Sequence, residues 1–300
     1  MTTSTVLYDA PGPRAVLRNR VISMMTLLIA AALVWLVVAK LQAKAQLTEA
    51  KWEPFTTANL WRTYLLPGIK GTLTAAALSI VLASALGVGL GVGRLSPSRA
   101  VRWASGTFAE LFRAVPVLIM MIFAYFLYAG YDVFPSKHLA LAGVITGLTL
   151  YNGAVIAEIV RAGVNALPRG QSEAGLALGL RWGQTMRLIL LPQAVTSMLP
   201  VLISQMVVVL KDTAIGYQIT FLEMVRQGTQ VGAAYGNYIP ALIVVAALMI
   251  GVNFGLSWFA TRLEGRMRQS RRGPAPMHIQ PVTQGAFGAD AGGSIPGGSI

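Results

Sequence analysis

The sequence predicts an all-α polytopic membrane protein with six transmembrane helices, and three observations carry that prediction. The composition is 55% hydrophobic against 12% charged, with a mean hydropathy of +0.61, which is too apolar for a soluble domain of this length. The apolar residues gather in uncharged stretches near the ~20 residues that cross a bilayer as helix, whereas barrel strands would be about half as long and alternate in polarity. The basic residues collect in alternate connections between those stretches, as the positive-inside rule requires of a multi-span chain.

The elements follow in order. Span one runs from Val21 to Ala39, behind a tail over residues 1–20. Ala43-Lys44-Ala45 after it gives the outline of a secretory signal and its cleavage site, but an uncharged run of 19 residues exceeds the ~7 to 15 of a signal core, so 21–40 reads as a retained helix. Residues 41–65 are expected outside, with Trp52, Phe55, Trp61 and Tyr64 at the membrane interface. Span two, Gly71 to Gly93, carries Gly87, Gly89, Gly91 and Gly93, two overlapping small-xxx-small patterns that let another helix approach closely. Span three covers Ala114 to Tyr131, span four Leu139 to Ala157 and span five Leu188 to Leu210, and the last lies within Gln227 to Thr261. Pro116, Pro192, Pro200 and Pro240 should kink these helices wherever they fall inside one. From residue 267 to 300 the chain turns to Pro, Gly and Ser with little apolar content and reads as a disordered tail.

The net charge of +13 is a topology signal and not a nucleic-acid footprint, because of where the charges sit. Arg14, Arg18 and Arg20 precede span one; Arg94, Arg99, Arg102 and Arg113 separate spans two and three. Arg161, Arg169, Arg181 and Arg187 separate spans four and five, and Arg262, Arg266, Arg268, Arg271 and Arg272 follow span six. Lys40, Lys44, Lys51, Arg62, Lys70, Lys137, Lys211 and Arg226 fall on the other side. Both termini are therefore expected in the cytoplasm of a bacterial cell.

Several chemistries are excluded. There is no cysteine, hence no thiolate metal site, thiol nucleophile or redox switch. His138 and His278 lack ligand-spaced partners, so no metal site and no catalytic residue is expected. A Gly-Lys dipeptide, needed by the nucleotide-cradling P-loop, occurs nowhere, so no cofactor is expected on this chain. Glu158 with Arg161, and Glu110 with Arg113, are three residues apart and suit local ion pairs better than general acid chemistry.

The most informative polar stretch lies between spans four and five. Ser172 is placed to cap a short helix with Glu173 in its first turn, where a carboxylate meets unpaired amides and the helix dipole. Leu176 and Leu180 should share a face. Gly179 should end or bend the helix before an amphipathic stretch from Arg181 to Leu191, and Pro192 should open span five. The predicted product is a helix-turn-helix with apolar teeth and one carboxylate, suited to a groove on a soluble partner.

Glu173, Ala174, Gly175, Gly179, Ile189, Leu191 and Pro192 stand at offsets that resemble the cytoplasmic EAA loop of bacterial ABC-importer permeases, with Gly175 where that family usually has alanine. Glu110-Leu111-Phe112-Arg113-Ala114-Val115-Pro116, Leu191-Pro192-Gln193-Ala194 and Leu210-Lys211-Asp212-Thr213-Ala214 resemble segments of polar amino-acid permeases. Thr5 to Pro13 is similar to the start of glutamate-uptake permeases. The likeness spans about residues 66–266, a five-helix type I importer core with the loop at 173–192, and leaves span one as an addition. It implies a transport subunit for a polar amino acid, glutamate first, with glutamine, aspartate or a basic amino acid as alternatives. It also implies partners: an ABC ATPase dimer carrying the ATP and magnesium, a homologous permease or second copy, and an external amino-acid-binding protein. An ion-coupled transporter or channel acting alone is the competing class, but it would usually carry internal repeats or buried acids, and the spans here are almost free of acid.

Polar groups inside the membrane are expensive and mark path-lining candidates. Asn152, Gln205, Lys211, Asp212 and Thr213 are singled out. Neighbouring Lys211 and Asp212 offer charges complementary to both ends of an amino acid, although adjacent helical side chains point about 100° apart. Lys211 could equally snorkel to the headgroups.

Overall fold

A computed structural model describes residues 12–269. The N-terminal stretch before residue 12, His278 and all of the expected tail beyond Gln269 lie outside the described residues. Among those residues the chain is helical throughout. In order come α1 (Pro13–Ala43), α2 (Glu49–Trp52), a 3-10 turn (Glu53–Thr56), α3 (Ala58–Leu60), a π turn (Trp61–Leu65) and α4 (Leu66–Arg94). Next are α5 (Arg99–Ala114), α6 (Val117–Gly130), α7 (Ser136–Asn165), α8 (Arg169–Ala177) and α9 (Trp182–Thr185). A second π turn (Met186–Leu190), α10 (Leu191–Asp212), a 3-10 segment (Thr213–Ile219), α11 (Met224–Tyr235) and α12 (Tyr238–Gln269) complete the chain. Helix α1 thus begins inside the expected tail at 1–20, and residues 267–269 still belong to α12.

Five helices are individually long and apolar enough to cross a membrane, and the pair α5 and α6 supplies a sixth crossing although it is bent by 100°. The directions of the helices require that crossing. A Cβ on Gly87 would meet Ile156, and one on Gly91 would meet Val160, so α4 and α7 advance together and run parallel. The chain must return between them. It does so through α6, whose 14 residues give roughly 21 Å at 1.5 Å per residue and which lies antiparallel to α7, Met121 against Gly147 and Tyr125 against Gly143. Pro116 moves the start of the third span from Ala114 to Val117, since its ring and missing N–H leave Val115 and Pro116 extended between α5 and α6.

Of the glycines in span two, Gly87 and Gly91 do what the small-xxx-small pattern predicts, closing onto α7 through Ile156, Gly153, Val160 and Ala157. Gly93 faces Ser105 of α5, and Gly89 faces open space, so one of the two patterns is used. Around α7 the core comprises Ala75, Met121, Val144, Leu148 and Val209.

Proline placement also explains both π turns. Each precedes a proline by two residues, Leu65 before Pro67 and Leu190 before Pro192. Widening the turn relieves the clash between the proline ring and the carbonyl four residues back. Pro200 lies inside α10, whereas Pro240 falls in the first turn of α12, where it removes no helical hydrogen bond.

Two expected boundaries change. Gln227 is not in the sixth span: it belongs to α11, which Glu223 caps and Gly236 ends at φ 61. The aromatic residues of 41–65 do not rest against lipid alone. Phe55, Trp61 and Tyr64 pack on the cluster of Leu60, Met224, Val231 and Val245, and the Lys51 ammonium donates to the Gly236 carbonyl at 2.6 Å while the Asn237 amide donates to the Lys51 carbonyl at 3.0 Å. Helix α1, by contrast, has no buried residue.

Candidate functional site

The loop between α7 and α10 folds as two helical pieces clamped against each other. Pro168 starts α8 earlier than expected. Ser172 is therefore not its cap, and Glu173 lies past its first turn, exposed at the surface. Gly179 does end the helix. At φ 77, its N–H donates to Leu176 at 2.9 Å and that of Leu180 to Gly175 at 3.2 Å, the paired bonds of a Schellman termination. Helix α8 stops at Ala177, so Leu180 is not on it and does not share a face with Leu176. The exposed apolar pair is Leu176 with Leu178, at 54% and 79% exposure. Ala174 is exposed beside Glu173.

Gly175 is the buried residue of α8. A Cβ there would stand 2.8 Å from Thr185 Cγ2, closer than real contacts, and 3.1 Å from Ile189 Cδ1, a tight one. The glycine that looks weak by helix propensity is what lets α8 lie on α9 and the following π turn. The Gln184 side chain accepts from the Arg181 N–H at 2.8 Å and fixes the start of α9. Gln193 donates to Gln171 at 3.1 Å, tying α10 to α8. Below the loop, Val164, Met186, Leu190 and Ala194 form a core with Ile189 and Leu191 packed against it. Pro192 follows the π turn inside a continuous helix from Trp182 to Ile219, so it reshapes span five and does not open it.

Beside this loop is an ion-pair network that only long-range contacts reveal. Glu158 accepts from Arg161 Nε at 3.2 Å, as its spacing predicts. Glu110 does not pair with Arg113. Instead Arg94 bridges Glu110 and Glu158, at 3.3 Å to each, and Arg113 reaches Glu158 at 3.9 Å. Three helices, α4, α5 and α7, are thus joined at the arginine-rich end of the bundle. Sequence reasoning missed Arg94 as the hub, because its partners are 16 and 64 residues away.

Of the path-lining candidates, Asn152 and Gln205 are brought together. Gln205 Nε2 donates to Asn152 Oδ1 at 2.7 Å, and Asn152 Nδ2 donates to the Leu148 carbonyl at 2.9 Å. Asn152 is fully buried, so the pair joins α7 to α10 across the bundle. Thr213 is also buried, and its hydroxyl turns back to the Leu210 carbonyl at 2.7 Å. Lys211 is exposed and Asp212 half-buried; among the described residues neither makes an ion pair within 4 Å.

At the opposite end sits Glu223, which the sequence reading passed over. Its carboxylate accepts from the Val225 and Arg226 N–H groups at 2.8 and 2.6 Å and caps α11. It is fully buried. Burial pushes its pKa up to about 7, against the lowering effect of those two backbone bonds and of the Arg226 charge. The available signal was an acidic residue in an acid-poor chain, placed just ahead of a Gly-terminated amphipathic segment.

Comparison with known proteins agrees with this architecture. Residues 83–269 match the family described as binding-protein-dependent transport system inner membrane component. The glutamate transport system permease protein GluD of Corynebacterium glutamicum is 52% identical over 231 residues, 77% of this chain and 85% of that protein. The glutamate/aspartate import permease protein GltK of Escherichia coli is 28% identical, covering 68% of this chain and 93% of its own. The crystal structure of an amino acid ABC transporter with histidines superposes with a TM-score of 0.60 at 26% identity, over 67% of this chain and 92% of that one. A bacterial ABC transporter involved in alginate import shares the fold, with a TM-score of 0.54 at 14% identity, over 85% of this chain and 99% of its own. With a family match over more than half its length, this chain belongs to the inner-membrane permeases of binding-protein-dependent transport systems.

Proposed function

We propose that this chain passes L-glutamate through a bacterial cell membrane as the permease subunit of an ATP-driven importer. The observation that carries the substrate is the 52% identity to a glutamate permease over 77% of the chain. ATP and magnesium act on a separate ATPase, in keeping with a sequence that has no nucleotide-cradling motif. The arginine-rich end faces the cytoplasm with both termini. An external amino-acid-binding protein delivers substrate to the other end, and a second copy or a homologous permease completes the path.

Helix α8 is the coupling element. It offers Glu173, Leu176 and Leu178 to the ATPase, and behind them the Gly175 contact and the Gln171 to Gln193 bond hold it to span five. A pull on α8 therefore moves α9 and α10 as a unit. The bond from Asn152 to Gln205 passes that movement to α7. Alternating access follows as a rigid-body shift of these helices when the ATPase closes.

The test is uptake by liposomes containing this chain, its partner permease, the ATPase and the binding protein. Glutamate uptake should require ATP and no sodium or proton gradient, and Glu173→Lys should abolish it without lowering the amount of folded protein. Uptake that persists after the ATPase is removed overturns the reading.

A further inference from the structure

We propose that a cleft at the end of the bundle opposite the arginines is a carboxylate-binding vestibule in which Lys70 and Lys137 receive the acidic side chain of the entering amino acid. The cleft encloses about 400 Å³ between the first turns of α4, the N-terminus of α7, Tyr125 of α6 and the connection Thr220 to Leu222. That volume is in the range of small-molecule sites. The proposal rests on the glutamate reading above and names where that substrate is first held.

Its charge is one-sided. Lys70 and Lys137 line it, no carboxylate does, and among the described residues neither lysine has an acidic group within 4 Å. Glu223, next in the chain to the lining residue Leu222, is engaged by the α11 amides instead. Ser136, Thr74, Thr220 and Tyr125 add hydroxyl groups, the donors with which a carboxylate completes its shell. Ser136 and Lys137 are also the first two residues of a 30-residue helix, whose unpaired amides and positive dipole end favour an anion.

The floor is built at a cost in strain. Thr220 terminates the 3-10 segment at φ 63, with its N–H bonded to Tyr217 and that of Phe221 to Gly216, both at 3.1 Å. This is the place glycine normally takes, and a β-branched residue there is an outlier of the kind that gathers at functional sites. Threonine keeps a hydroxyl in the cleft that glycine would lack. Behind it, Gly71 lets α4 press on the Leu222 carbonyl: a Cβ at Gly71 would lie 2.0 Å from that oxygen. The irregular backbone is thereby fixed against a helix where it lines the cleft.

The complete complex in lipid nanodiscs, treated with a water-soluble amine acetylating reagent and followed by mass spectrometry, tests this. Millimolar L-glutamate should slow modification of Lys70 and Lys137 severalfold, L-glutamine should do so much less, and Lys44 should be unaffected by either. Equal modification of Lys70 and Lys137 with and without glutamate overturns the proposal. In liposomes, the pair Lys70→Gln with Lys137→Gln should reduce the maximal rate of glutamate uptake severalfold while association of the binding protein is unchanged, and the pair Lys70→Arg with Lys137→Arg should restore most of it. A loss residing in binding-protein association would make the lysines a contact for protein carboxylates and overturn the assignment to substrate. Wild-type uptake is measured alongside: its absence refutes the glutamate function, whereas lysine protection decides the cleft whatever that uptake proves to be.

Discussion

The two ends of this bundle handle charge in opposite ways. At one end four arginine and glutamate contacts converge on Glu158 and Arg94 and join three helices, with Arg94 only 12% exposed. At the other end the lysines lie loose around a cleft, and the elements are held by hydrogen bonds and apolar packing, as between Lys51, Gly236 and Asn237. Charge that is consumed in holding helices is unavailable to a ligand. The difference teaches which end is built as a rigid handle and which has binding capacity left over.

The largest expected effect sharpens that contrast. Arg94→Met removes the hub and leaves Glu110 and part of Glu158 unpaired, at about 2 kcal/mol, most of it from the Glu158 side because Glu110 is 66% exposed and screened by solvent. The detergent-purified protein should melt several degrees lower, while Lys70→Met and Lys137→Met should leave the melting temperature unchanged. Equal losses at both ends would erase the distinction.

Next comes the handle itself. Gly175→Ala drives a methyl into Thr185, an overpacking worth about 1 to 3 kcal/mol, and should weaken ATPase-stimulated uptake by separating α8 from span five. Adding Thr185→Ala removes the closest conflict and leaves only the tip of the Ile189 side chain to shift, so uptake should recover. Failure of the double variant to recover would mean that the close approach of α8 is not what matters.

A smaller effect belongs to the other end and depends on pH. Glu223 is raised from 4.5 to about 7 in the folded state, so between those values the folded chain holds a proton that the unfolded chain has released. Stability should therefore fall as pH rises from about 4.5 to 7 and then level off. Thermal melts across that window should show the decline, and Glu223→Gln should flatten it. Smallest of all, Lys51→Met should cost less than about 1 kcal/mol, the net worth of an ordinary hydrogen bond, visible as faster proteolysis of residues 44–57 with uptake retained.

Much of the fold was legible because lipid imposes a simple rule on composition, and the positions of the long spans follow from it. The helix α5 was not, since hydropathy ignores amphipathic segments. Yet Ser105, Phe108, Ala109 and Phe112, which face the bundle, repeat every three to four residues and could have marked it. Gly179 was readable as a stop because termination is local chemistry. Gly175 was misjudged, since helix propensity says nothing of a neighbour ten residues on, and Lys70 and Lys137 were read only as topology signals because nothing in their spacing joins them. Asn152 and Gln205 were named as individual polar residues, but their bond across the bundle is a product of the tertiary fold.

Helix α1 has one more consequence, and it concerns parity. The body from α4 to α12 makes five crossings, entering at the lysine end and leaving at the arginine-rich end, so by itself it would put its two flanks in different compartments. Helix α1 buries none of its residues in this chain, yet its best window has a mean hydropathy of 2.7, ample for insertion without help from neighbours. One further crossing turns an odd count into an even one. As a sixth crossing, α1 would bring Pro13 back to the side on which α12 ends.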